Sequence, residues 1–234
     1  MNTTRYIPGT LVSYDTVFEC GDLINEAYAQ LESPKSWKIP DAYEILSTFR
    51  ARSIRWLPGT SEPFGFVARK KENGDRFVIF RGTRTGPEWL ADFDALQCPH
   101  EWGAVAKGFS HIYQQCSPDV IAAVPPGSFA TYVTGHSLGA ALAVLAAADL
   151  KLRGRSPYLI SFAGPRVGDP LFAKIFNDQV SGVRFFNTED LVPTVPPAVA
   201  ELQFAHVAVP ACFTSHKGTL SANHAMETYM ESLK

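Results

Sequence analysis

Long apolar runs are missing from this 234-residue chain, and so is any marked excess of one charge. No hydrophobic stretch approaches the ~20 residues that a helical bilayer span requires. The first twenty residues lack a basic start followed by an apolar core. No export leader is therefore read there, and the expected compartment is the cytoplasm, or the exterior if a leader has been removed. A formal charge of −2 leaves no electrostatic footprint for nucleic acid. With no Lys/Arg cluster to meet an anionic membrane, any lipid contact has to be apolar. Cysteine is scarce: Cys20, Cys98, Cys116 and Cys212 lie far apart, without metal-type spacing, and are too few for a disulfide scaffold. They read as free buried thiols, with one or two bridges if the protein is secreted. Repeats, linkers and low-complexity tracts are absent as well. What remains is a globular balance, 46% hydrophobic and 19% charged, in a length that suits one α/β domain over residues 1–234.

Along the chain, Val17, Cys20, Ile24, Ala27, Tyr28 and Leu31 recur at helical spacing, so residues 16–31 read as an amphipathic helix. Asp41 and Glu44 have capping-box spacing and suggest a second helix through Phe49. Strand-like runs follow at 53–57, 64–70 and 76–80, the last two joined by the hairpin signal Glu72-Asn73-Gly74-Asp75. In Thr85-Gly86-Pro87-Glu88-Trp89-Leu90-Ala91-Asp92-Phe93, Trp89, Phe93 and Leu96 share one helical face. That pattern describes a short mobile helix with an apolar underside, or an ordinary core helix on periodicity alone. A helix over 107–116 is expected to end at Pro118. From Phe129 onward strand and helix alternate, with strands near 129–134, 158–162 and 183–187 and helices near 138–152, 170–178 and 221–233. Such alternation argues for a mostly parallel central sheet, antiparallel at its N-terminal strands, with helices on both faces.

The chain turns on Thr134-Gly135-His136-Ser137-Leu138-Gly139. A Gly-x-Ser-x-Gly arises by chance in about one chain in fifteen of this length, so the pentapeptide matters only through its context. Here a β-branched run precedes it and an Ala/Leu-rich run follows it. A sharp strand-to-helix turn crowds the backbone, requires residues without side chains on either side, and pushes the middle serine outward. This is the nucleophile elbow of the α/β-hydrolase fold. A serine hydroxyl needs a base within hydrogen-bond reach and a carboxylate to hold that base's tautomer. In this fold acid and base follow in that order, which leaves His206, His216 and His224 as bases. Asp149, Asp169, Asp178, Glu189, Asp190 and Glu201 are the candidate acids, and Asp190 stands out after a strand and before prolines.

The sequence resembles the class 3 lipases, the filamentous-fungal triacylglycerol lipases and their bacterial and plant relatives. Matching segments occur in order at Phe80-Arg81-Gly82-Thr83, Trp89-Leu90-Ala91-Asp92, Thr134 to Gly139, Gly164-Pro165-Arg166-Val167-Gly168-Asp169-Pro170 and Asn187-Thr188-Glu189-Asp190-Leu191-Val192-Pro193. The resemblance runs from about Phe64 to the C-terminus. It implies an ester hydrolase without metal or cofactor, with Ser137 as nucleophile, Asp190 as acid and His224 as base, His216 being the runner-up. It also implies an oxyanion hole from Thr83 and Leu138, steadied by Asp92. A lid over about 84–96 is implied too, carrying Trp89, Leu90 and Phe93, with Trp89 on its apolar side. His136, Arg166 and Asp169 fall to packing and hydrogen bonding. Two positions depart from the family pattern: Ala106 replaces a frequent histidine before Lys107-Gly108-Phe109, and Ala140 replaces a common glycine. The first bears on pocket detail and substrate choice.

The expected substrate is therefore a lipid carboxylic ester, met at a lipid–water interface. A phospholipase A1, a feruloyl-type esterase and a mono- or diacylglycerol lipase use the same chemistry. The rival from another class is a non-catalytic, lipid-binding homologue that docks through the Trp89 face. Because the base must start neutral, activity is expected to fall as pH drops through ~6.5.

Overall fold

The computed structural model of the protein describes residues 4–52, 61–83, 95–197 and 203–234. Its strands are β1 (Tyr43–Ala51), β2 (Glu62–Lys70), β3 (Arg76–Phe80), β4 (Gln97–His100), β5 (Gly103–Ala106), β6 (Thr131–His136), β7 (Pro157–Phe162), β8 (Ser181–Asn187) and β9 (Val209–Phe213). Among the described residues the helices are α1 (Tyr14–Glu32), α2 (Lys107–Ala123), α3 (Leu138–Leu152), α4 (Pro170–Gln179), α5 (Leu220–His224) and α6 (Met226–Ser232). The main sheet runs β1-β2-β3-β6-β7-β8-β9. Its first two pairings are antiparallel and the other four are parallel. This is the α/β-hydrolase architecture.

Side-chain alternation divides the core in two. On β3, Val78 and Phe80 join the cluster formed with α2, α3 and α4, while Phe77 and Ile79 join the cluster formed with α1 and α6. Helix α3 lies buried along nearly its whole length, which is why its sequence is apolar all round rather than striped. Helix α4 begins at Pro170 with Asp169 as its cap, whose Oδ1 accepts from the Phe172 N–H at 2.7 Å.

Several expectations need correction. Residues 43–51 form β1, not a helix: the stretch is rich in β-branched and aromatic residues, and pairing with β2 outweighs the capping-box spacing. Pro118 does not end α2, which continues to Ala123. The carbonyl of Gln114, deprived of its helical donor at Pro118, accepts from the Ser117 hydroxyl at 3.4 Å on the solvent side. The C-terminal helix is two helices broken at Ala225, whose ψ of 138° is extended. The β4–β5 hairpin and the edge strand β9 have no counterpart in the sequence reading. The strand expected at 53–57 lies outside the described residues.

Candidate active site

Strand β6 ends at His136 and α3 begins at Leu138, so the whole reversal is made by Ser137. Its φ of 60° and ψ of −127° lie where an L-residue with a side chain is strained. Two hydrogen bonds hold it there: the Ser137 N–H donates to the Phe162 carbonyl at 3.0 Å, and the Ser137 carbonyl accepts from the Ala140 N–H at 3.0 Å. The flanking glycines are compelled by contact. A Cβ on Gly135 would lie 2.3 Å from the Gly139 carbonyl oxygen, and one on Gly139 would lie 2.4 Å from that of Arg81.

The serine meets two groups delivered by different loops. His224 ends α5, and its Nε2 lies 2.8 Å from Ser137 Oγ. Its Nδ1 lies 2.8 Å from Oδ2 of Asp190, three residues past the end of β8. A carboxylate can only accept, so Nδ1 carries the imidazole proton and Nε2 of the neutral ring accepts from the serine hydroxyl. Asp190 is held on both oxygens: Oδ1 accepts from the Val192 N–H at 3.0 Å, and Oδ2 accepts from the Tyr229 hydroxyl at 2.7 Å. The Tyr229 oxygen in turn accepts from the Asn187 N–H at 3.0 Å. Burial and the adjacent Asp190 charge push the Tyr229 phenol well above its ordinary range, so it remains a donor. All three members of the constellation are buried, at 2% exposure for Ser137 and 3% for Asp190 and His224. A nucleophile, a neutral base and an oriented carboxylate in this order can carry out acyl transfer.

The sequence pattern described as lipase (class 3) matches residues 77–200. The chain belongs to the class 3 lipase family. It is 35% identical to a lipase of Rhizomucor miehei over 172 residues, covering 68% of this chain and 46% of the relative. It is 32% identical to a chloroplastic phospholipase A(1) of Arabidopsis thaliana over 182 residues, covering 62% and 41%. The chain thus spans under half the length of these two relatives. In structure it is similar to a triacylglycerol lipase whose catalytic centre is formed by a serine protease triad, with a TM-score of 0.74 and 26% identity over 88% of this chain and 82% of that one.

In this member of the family the other expected residues fall as follows. Leu138 opens α3 and is buried. Thr83 follows Gly82, where an added Cβ would lie 2.9 Å from Ser137 Cβ, so the strand end bearing Thr83 abuts the serine. Arg81 is buried in the same turn, donating to the Pro63 carbonyl at 2.6 Å and to the Gly82 carbonyl at 2.5 Å, and pairing with Glu62 at 2.9 Å. Asp92, Trp89, Leu90 and Phe93 lie outside the described residues, as does all of the expected lid over about 84–96 except residues 95 and 96. His216 sits on the surface against Glu189 at 3.1 Å, away from the serine. His206 reaches the Pro193 carbonyl at 2.7 Å, and burial with the nearby Arg184 lowers its pKa to about 4. All four cysteines are free, but against expectation only Cys20 and Cys116 are buried, Cys98 being half-buried and Cys212 exposed. No group of His, Cys, Asp and Glu among the described residues is arranged to hold a metal.

Sequence reasoning missed the braces. Asn187 is fully buried, and its Nδ2 donates to the Asn223 carbonyl at 3.0 Å and to the Ser215 carbonyl at 2.7 Å. Its Oδ1 accepts from the Ser215 N–H at 2.9 Å. Asn223 then donates from Nδ2 to the Glu189 carbonyl at 3.0 Å. These two amides tie the loop carrying Asp190 to the loop carrying His224. The signals in the sequence were that Asn187 opens the matched segment ending at Pro193 and that Asn223 directly precedes His224.

Proposed function

We propose that the protein is a serine hydrolase that cleaves carboxylic esters of lipids through an acyl-enzyme on Ser137. The observation that carries this reading is the unbroken chain Ser137 Oγ, His224 Nε2, His224 Nδ1, Asp190 Oδ2, with both links at 2.8 Å, mounted on a strained elbow. In the first half-reaction Ser137 Oγ bonds to the acyl carbon while its proton passes to His224 Nε2. The oxyanion so formed is met by the N–H groups of Thr83 and Leu138, the Thr83 hydroxyl adding a donor that Asp92 steadies. Collapse breaks the bond to the alcohol, which leaves with the proton from His224. Water then attacks the acyl carbon by the same route, giving a fatty acid and free Ser137.

A lid within about 84–96, opening when its apolar face meets lipid, belongs to this proposal. Burial of the triad and the Trp89, Phe93, Leu96 spacing support it. The same site would serve a triacylglycerol lipase, a phospholipase A1 or a feruloyl-type esterase, because fold and triad do not select among them. Rates on p-nitrophenyl esters of rising acyl length, below and above their solubility limits, separate these readings. A jump on emulsions fits a lidded lipase, and a flat profile on soluble esters fits an esterase. Ser137→Ala is expected to remove activity on every ester, and a variant hydrolysing at the parent rate refutes the acyl-enzyme. Trapping by a fluorophosphonate separates the hydrolase from a non-catalytic lipid-binding homologue, since only an activated serine reacts quickly.

A further inference from the structure

His136, the residue before the elbow serine, is buried and makes two hydrogen bonds that the acyl-transfer scheme does not use. Its Nε2 lies 2.8 Å from the carbonyl oxygen of His224, and its Nδ1 lies 2.8 Å from the hydroxyl of Tyr28 on α1. The Tyr28 oxygen also accepts from the Gly82 N–H at 3.0 Å. One end of this chain fixes all its directions. A carbonyl only accepts, so Nε2 bears the proton and donates to His224. Nδ1 of the neutral ring must then accept, the Tyr28 hydroxyl donates to it, and the tyrosine oxygen is left to receive the Gly82 N–H.

We propose that Tyr28 and His136 are positioning residues that form a strut between the oxyanion loop and the catalytic base. This rests on the serine-hydrolase reading above. At one end the strut fixes Gly82, the residue before Thr83, in a gap with little clearance. A Cβ there would lie 2.4 Å from the Tyr28 oxygen and 2.9 Å from the His136 carbonyl. At the other end it grips the backbone of His224 where the helix breaks at Ala225, so the base's main chain is anchored through the residue adjacent to the nucleophile. The His136 and His224 rings face each other with centroids 4.7 Å apart, and Tyr229 stands edge-on to His136 at 6.1 Å. The His224 ring gains a positive charge when it takes the serine proton, so its neighbour must stay neutral. Burial, then the neighbouring His224, hold the His136 pKa down at about 3. Tyr28 stays protonated because burial pushes its pKa to about 12.

Both ends of the strut act on groups whose work is done in the transition state, so its loss falls on kcat rather than KM. The test uses Tyr28→Phe, His136→Gln and the double variant on a short, soluble p-nitrophenyl ester. Rates are expressed per serine titrated with fluorophosphonate, which discounts unfolded protein. Tyr28→Phe is expected to lower kcat by roughly 10- to 100-fold, a share of the loss seen when an oxyanion donor is removed. KM should stay within about twofold, and the double variant should be little worse than the more impaired single one. A kcat for Tyr28→Phe within twofold of the parent overturns the proposal. So does a change confined to KM, or single losses that multiply in the double variant. Side-chain nitrogen NMR of the parent protein provides the check that needs no variant. The strut requires a neutral His136 protonated at Nε2, and a proton on Nδ1 disproves it. If the parent protein neither takes the fluorophosphonate nor hydrolyses esters, the underlying reading has failed, and the tautomer still decides whether the strut exists.

Discussion

His206 and His136 share a physical condition: His136 is buried and His206 half-buried where a charge is poorly solvated, and each donates from a neutral ring to a carbonyl. Their folded-state pKa values, about 4 and about 3, lie below the unfolded value of ~6.5. Between those limits the unfolded chain holds protons that the folded chain does not, so stability falls as pH falls below ~6.5. Each histidine steepens that fall by up to ~1.4 kcal/mol per pH unit, and the effect of each ends below its folded pKa. Urea midpoints at pH 7 and pH 5 are expected to differ less for His206→Gln than for the parent. Equal differences would mean that His206 is protonated in the fold. At this scale Ser137 was legible in the sequence because Gly135 and Gly139 flank it as the elbow's geometry demands, whereas position left several acids and His206, His216 and His224 open, and only the family resemblance singled out Asp190 and His224. Tyr28 was not legible, since its partners at 82 and 136 are brought to it only by the packing of α1 on the sheet.

Elements were legible where a single period dominated. Helix α3 runs over the residues read from its composition, and β2 and β3 flank the hairpin read from Asn73-Gly74. They were misread where a local rule met a tertiary contact. Capping-box spacing at Asp41 and Glu44 lost to strand pairing along 43–51. The break at Ala225 was invisible because the apolar spacing of 221–233 continues through it, although the break lets the His224 carbonyl accept from His136. Pro118 survives inside α2 because its face is exposed and Ser117 offers the Gln114 carbonyl a hydroxyl. Replacing it restores the missing donor. Pro118→Ala is therefore expected to stabilise the fold by about 1–3 kcal/mol, read as a higher denaturant midpoint with an unchanged slope. A lower midpoint would show that the helix depends on the proline's restricted backbone.

For the whole molecule, the parallel strands β6 and β8 deliver Ser137 and Asp190 from their C-terminal ends, where sites in open α/β sheets form, with β7 between them. The base arrives from beyond the edge strand β9. Asn187 and Asn223 join its loop to the acid's, so the constellation belongs to the folded sheet as a unit and not to any one segment. Activity should consequently vanish with the fold, and acid or base variants should retain the fold while losing chemistry. Asp190→Asn is expected to lower kcat by about 10⁴-fold through the wrong imidazole tautomer, with its thermal transition still cooperative. Mass spectrometry after brief exposure to a fluorophosphonate at pH 8 tests the central claim most directly. One adduct per chain is expected, on Ser137, formed quickly by the parent and lost in His224→Gln. An unlabelled parent protein, or an adduct that forms equally fast without His224, contradicts it.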